Sequence, residues 1–186
     1  MNDTLKTIAS RYSCRSFKPD PVPTEMIDAI ANAAVQAPSG MNRQAWRAVV
    51  VTDKQLIEEL DAEAMSYFAG QDDKSFYERM MSRGGKVFYN APCMIIIPVD
   101  SDQVSDTMID CGIITENIVL AATSLGLGNV ICGLARFSFC SDKAADFKKR
   151  LKFPDGYDFG MSVLIGYSAN ETAPHVPDTD KIIYIR

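Results

Sequence analysis

One histidine, His175, serves the whole chain of 186 residues, and its five cysteines (14, 93, 111, 132 and 140) never fall into a C-x-x-C pair. So few soft ligands, so spaced, exclude a conventional zinc site, and an odd number of thiols suits a reducing cytoplasm better than a disulfide framework. The dinucleotide fingerprint G-x-G-x-x-G and the phosphate loop are both missing, and Gly84-Gly85-Lys86 is too short to cradle a phosphate alone. No G-x-S-x-G elbow occurs, and His175 in a polar tail is a poor triad base. A nucleophilic Cys111 or Cys132 would need a partner base that the sequence does not offer. If the protein is an enzyme, its chemistry is borrowed from a cofactor.

Charge and apolar runs narrow the field further. The net charge is −5, and no basic run exceeds Lys148-Lys149-Arg150, which closes a helical pattern and offsets its dipole. Nucleic acid and anionic membrane surfaces require a basic face, so neither is an expected partner. No apolar run approaches the about 18 residues of a membrane span, and Met1–Thr4 lacks the basic and apolar parts of a secretory signal. The expectation is a cytoplasmic protein. No repeat, low-complexity run or linker divides the chain, so residues 1–186 read as one domain.

Periodicity supplies the elements. Asp3 or Thr4 would cap a first helix carrying Leu5, Ile8, Ala9 and Tyr12. If it continues, Arg11 and Arg15 share one face. Pro19, Pro21 and Pro23 enforce an extended link. Thr24 would cap a second helix that stops before Pro38, and Asp53 a third through Leu56, Ile57, Leu60 and Met65. Strands are expected at Ala48–Thr52, at Cys93–Val99 with Pro98 near a sheet edge, at Asn129–Cys132 and at Met161–Tyr167. Ser141 or Asp142 would cap a helix through Phe147 and Leu151. Between Tyr67 and Tyr89 no period holds. Thr107–Leu125 is apolar around most of its circumference, which demands burial by more than one neighbour, in a large core or at a subunit interface. The tail ends in Ile182–Ile185, read as a short apolar strand after a loose linker that can dock on another subunit. Helices first, then strands and helices without strict alternation, indicate an α+β fold with a mostly antiparallel central sheet flanked by helices.

Two stretches carry chemical promise. Arg11-Tyr12-Ser13-Cys14-Arg15-Ser16-Phe17 puts guanidinium forks and hydroxyls together in an acidic chain, a combination suited to an anion. Ala37-Pro38-Ser39-Gly40-Met41-Asn42-Arg43-Gln44-Ala45-Trp46 offers carboxamides that can both donate to and accept from a flat heterocycle. Taken alone, each reads more simply as surface: a basic helix end, and a polar loop anchored by Trp46.

Together, and in this order, the two stretches resemble the FMN-dependent nitroreductase family. Asp110-Cys111-Gly112, the run Asn117–Gly128, Ile131-Cys132-Gly133 and Ile165-Gly166-Tyr167 extend the resemblance over nearly the whole chain, weakest at about 60–90. The resemblance implies an intertwined α+β homodimer with FMN at two interface sites, the long apolar helix in the dimer core and the 168–186 tail reaching the partner. It implies that Arg11 and Ser13 hold the phosphate and ribityl, with Tyr12 contributing backbone and Arg15 beside the flavin N1–C2=O edge. Pro38, Ser39 and Asn42 would come from the partner, while Ile131 and Gly133 would line the ring near N5. A fixed cation at N1–C2=O stabilises the reduced ring, whose negative charge collects there. Ala45 departs from the family's usual proline, and Cys132 from the acidic residue of some members. His175 and Lys181 are the tail's candidates for the phosphate.

The implied activity is hydride transfer from NADH or NADPH, then reduction of a small aromatic acceptor such as a nitroarene or quinone by a ping-pong mechanism. No side chain is named as catalytic. Two rivals stay open: a specialised dehalogenase-type or dehydrogenase branch with a lid at residues 60–90, and a non-enzymatic FMN-binding dimer.

Overall fold

The computed structural model describes the whole chain, Met1–Arg186, save the side chains of residues 103–106. Its centre is a four-stranded antiparallel sheet in the order β1-β2-β4-β3. The strands are β1 (Val49–Val51), β2 (Cys93–Asp100), β3 (Gly128–Ile131) and β4 (Tyr157–Gly166). β2 reads as an unbroken apolar run because both faces of the sheet are covered. Cys93, Ile95, Ile97 and Val99 point to one core, and Met94 and Ile96 to the other. Pro98 is not at an edge, as its lack of an N–H had suggested. It sits in an inner strand, where the ladder to β4 shifts register between Ile97 and Pro98 and so tolerates the missing donor.

Helices α2 (Thr24–Ala34) and α5 (Val104–Ser124) cover the first face. α3 (Lys54–Ala69), α4 (Ser75–Met81) and α6 (Ala144–Arg150) cover the second, joined by a 3-10 segment at Gly133–Phe139. Asp53 caps α3 by accepting the Leu56 N–H at 3.1 Å. The other caps differ from the sequence expectation: Asn2 caps α1 (Asp3–Ser10), while α2 and α6 have no side-chain cap. The stretch from Tyr67 to Tyr89, which showed no period, holds the end of α3, all of α4 and a glycine turn. Its rings pack tightly: Tyr67 stacks on Phe137 at 4.6 Å, and Phe76 tilts against Phe68 at 4.4 Å. Among the described residues no helix is long and apolar enough to cross a membrane.

α1 ends at Ser10, so Arg11 and Arg15 do not share a helical face. Arg11 already adopts an extended backbone. The apolar tail is not a strand within its own chain either. After a 3-10 turn at Thr179–Lys181 it runs unpaired, with Ile183 85% and Ile185 96% exposed.

Candidate functional site

The Arg11–Phe17 stretch runs along the free edge of β3. Ser13 bridges Asn129 in parallel, and the Cys14 N–H donates to the Asn129 carbonyl at 2.8 Å. Further on, Phe17 bridges Ser168, and the Lys18 and Ala169 N–H groups bond back to Tyr167 and Ser16. Cys14 points inward and is 1% exposed, its thiol donating to the Ser16 carbonyl at 3.2 Å. Its neighbours Ser13 and Arg15 therefore face outward, since side chains alternate along an extended segment. Ser13, Arg15 and Ser16 line a cavity of ≈ 250 Å³ with Ser168, Asn170 and Thr172. Among the described residues, neither Arg11 nor Arg15 has a side-chain hydrogen bond or an ion pair.

The same edge carries Ile131 and Gly133. Ile131 is 43% exposed, whereas Cys132 between them is buried and bonds through its backbone N–H to Ser162 at 2.8 Å. Burial pushes the Cys132 thiol up to about 11, and that of Cys111 likewise to about 11. Neither is a ready nucleophile, because the reactive form is the thiolate. All five cysteines are free. Gly133 is packed from outside by Arg136, whose Nε donates to the Gly133 carbonyl at 2.9 Å.

Pro38, Ser39 and Asn42 lie elsewhere, near the β1 side, where Trp46 bridges Val99. The loop is held from α5: the buried Asp110 carboxylate accepts the Gly40 N–H at 3.1 Å. Met41, Asn42 and Gln44 all have positive φ (52°, 55° and 50°), which is costly for residues with a Cβ and is concentrated at functional sites. Ser39 Oγ accepts the Gln44 N–H at 2.9 Å, and Asn42 Oδ1 accepts from Gln44 Nε2 at 2.9 Å. No described cavity is lined by both this loop and the Arg11–Phe17 stretch. Within one chain the predicted residues thus form two separate groups. In the tail, His175 and Lys181 are both exposed, and Lys181 pairs with Asp178 at 3.7 Å.

Two residues of consequence escaped the sequence reading. Asp61 is 5% exposed on α3 and accepts the Phe88 N–H at 2.8 Å, pinning the turn after α4. Burial raises its pKa, although the Phe88 N–H and the Lys86 charge act against the rise. The signal was available: Asp61 follows Ile57 by four positions, so an acid occupies the apolar face of a helix. Arg83, which lines an open cavity with Arg15, had no such signal because no period runs through its segment.

An α+β core of this topology, carrying an arginine–serine edge and a strained carboxamide loop, defines a class as well as a fold. The family model described as the Nitroreductase family matches residues 8–167, and the chain belongs to that family. A crystal structure of a nitroreductase with bound FMN from Desulfitobacterium hafniense DCB-2 is 54% identical, with a TM-score of 0.98 and full coverage of both chains. A second, a nitroreductase with bound FMN from Bacteroides fragilis NCTC 9343, is 28% identical with a TM-score of 0.89, again over both full chains. An NADPH-flavin oxidoreductase of Vibrio harveyi is 30% identical over 95% of this chain and 71% of its own length.

Proposed function

We propose that this chain is an FMN-dependent oxidoreductase that uses NADH or NADPH to reduce small flat acceptors such as nitroaromatics and quinones. The observation that carries the reading is the uncompensated pair Arg11 and Arg15, displayed with Ser13 along β3 in an acidic chain. Two FMN-bound structural relatives of the same family support the choice of cofactor. When bound, FMN accepts hydride from the nicotinamide and passes electrons to the acceptor.

The residues of this chain hold and tune it. Arg11 and Ser13 bind the phosphate and ribityl, with Tyr12 adding backbone contacts, and the hydroxyl-lined cavity beside Ser13 suits a polyol. Arg15 lies at the N1–C2=O edge and favours the charge that reduction places there. Ile131 and Gly133 line the ring near N5, while the inward Cys132 supplies no proton donor. Pro38, Ser39 and Asn42 come from the partner of an intertwined homodimer, which joins the two groups that one chain keeps apart. The 168–186 tail, exposed from Ala169 onward, reaches onto that partner. Donor and acceptor use one face in turn, which gives ping-pong kinetics. Free thiols throughout fit a cytoplasmic protein.

The test is direct. The purified protein is expected to be yellow, to bleach anaerobically with NADH or NADPH, and to regain colour with a nitroarene or quinone. A colourless protein that fails to take up FMN overturns the reading. A yellow protein that neither nucleotide bleaches would favour a non-enzymatic flavin dimer.

A further inference from the structure

Arg15 has a second neighbour that the flavin reading leaves unused. Across an open cavity of ≈ 540 Å³ it faces Arg83, with Tyr89 as the third wall. A space of this size accommodates a substituted benzene ring. Arg83, like Arg15, has no side-chain hydrogen bond or ion pair among the described residues. Some cations elsewhere do find acids: Lys143 pairs with Glu63, Lys148 with Asp158, and Arg150 with both Glu59 and Asp146. Two guanidiniums facing one cavity without a carboxylate repel each other, and an incoming anion relieves that repulsion.

The Arg83 side chain is exposed, but its backbone is held. It follows the C-cap Ser82 of α4, its N–H donates to the Met80 carbonyl at 3.0 Å, and the turn beyond it passes through Gly84 and Gly85 at positive φ. The turn is then anchored by the buried Val87 and Phe88 and by the bond from the Phe88 N–H to Asp61. Tyr89 and Asn90 take left-handed φ of 53° and 59°, which sets the Tyr89 ring at the cavity wall. A cation at the end of α4 offsets that helix's dipole, but the dipole does not explain why it faces Arg15.

We infer that Arg83 is a specificity residue that selects aromatic acceptors bearing a carboxylate. The inference rests on the flavin reading above: with Arg15 engaged at the flavin edge, Arg83 and the Tyr89 hydroxyl remain for an anionic substituent on the ring stacked there. Neutral acceptors of the same shape gain nothing from it.

The holoprotein is assayed under saturating NADH with 4-nitrobenzoate and its methyl ester, which share the ring and the nitro group and differ in charge. The wild type is expected to favour the acid in kcat/KM by about tenfold, the size of one charge-assisted hydrogen bond. Arg83→Gln should reduce that ratio at least about fivefold, chiefly through KM for the acid, and Arg83→Lys should restore part of it. Added salt should lower the wild-type ratio, because the cavity is open to solvent. The inference is overturned if the wild type shows no preference, or if Arg83→Gln slows both compounds equally. It is also overturned if the substitution changes only the choice between NADPH and NADH, which would assign the anion to the nucleotide phosphate, or if it releases FMN. In each of these cases a yellow, NADH-bleachable wild type leaves the flavin reading intact. A protein that holds no FMN and reduces neither compound refutes that reading, and this inference with it.

Discussion

A β-carbon placed on Gly128 would stand 2.9 Å from the sulfur of Cys14 and 3.0 Å from its Cβ. The contact explains how an extended, polar stretch stays docked on the edge of β3. The buried thiol fills the space left by glycine, and the two outward neighbours, Ser13 and Arg15, are aimed as a consequence. Gly128→Ala should therefore destabilise the protein by about 1–3 kcal/mol, the usual cost of forcing volume into a packed site. Chemical denaturation measures that loss. FMN retention through gel filtration should fall with it, because the displaced strand carries the residues proposed to hold the phosphate and ring. Normal flavin retention in a destabilised variant would separate the Cys14–Gly128 contact from the site.

Arg11 and Arg15 should divide the work. Each offers one charge-assisted interaction, worth about 1.5–3 kcal/mol. Arg11→Gln is expected to weaken FMN binding about ten- to a hundredfold, with little change in the potential of the flavin that remains. Arg15→Ala should lower the two-electron potential by about 30–60 mV, because it removes the cation we place beside the reduced ring. Titration against a reference dye decides the matter. An unchanged potential in a still-yellow Arg15→Ala protein would contradict the assignment.

Asp61 supplies a prediction with a pH sign. Asp61→Ala leaves the buried Phe88 N–H without an acceptor and should cost about 1–3 kcal/mol. Desolvation raises the native pKa of Asp61 above the usual carboxylate range; the Phe88 N–H, the Lys86 charge and the Val87 N–H oppose the rise, and the Glu58 charge adds to it. The native state thus holds this proton more tightly than the unfolded chain. The contribution of the carboxyl is complete below the unfolded pKa and declines as pH rises through the native one. The stability difference between wild type and Asp61→Ala should therefore be larger near about pH 5 than near about pH 8. The opposite slope would mean that the hydrogen bonds to the ionised carboxylate outweigh its burial.

How much of this was legible in the sequence depends on whether local chemistry or tertiary context decides each element. β2 and α5 were readable because apolar run and length leave few alternatives, and the Asp53 cap because its effect is local. The helical continuation through Arg15 failed because Cys14 is worth more buried against Gly128 than on a helix turn, and no window of sequence contains both. Pro98 misled because a register shift, which depends on the partner strand, removes the penalty. The division of the candidate residues into two groups was implied only by the family resemblance, and Arg83 was invisible for want of any period in its turn.

The proposed dimer is where the proposed site can be broken without touching it. Ile109 is 67% and Met108 40% exposed on α5, and Leu5 and Ile8 are 50% and 49% exposed on α1, which packs against α5. These exposed apolar residues on adjoining helices are the face we assign to the proposed association. In a two-fold dimer any substitution counts twice, and burying one isoleucine is worth about 1.5–3 kcal/mol. Ile109→Asp replaces that gain with the desolvation of a charge on both subunits, so at micromolar concentration it should shift the protein to monomer. Analytical ultracentrifugation reads the mass, and far-UV circular dichroism checks that the chain remains folded. Because Pro38, Ser39 and Asn42 are assigned to the partner's half of the site, the folded monomer should also be colourless. A yellow Ile109→Asp monomer would mean that one chain completes the flavin site, and that the strained loop at Met41 and Asn42 serves another purpose.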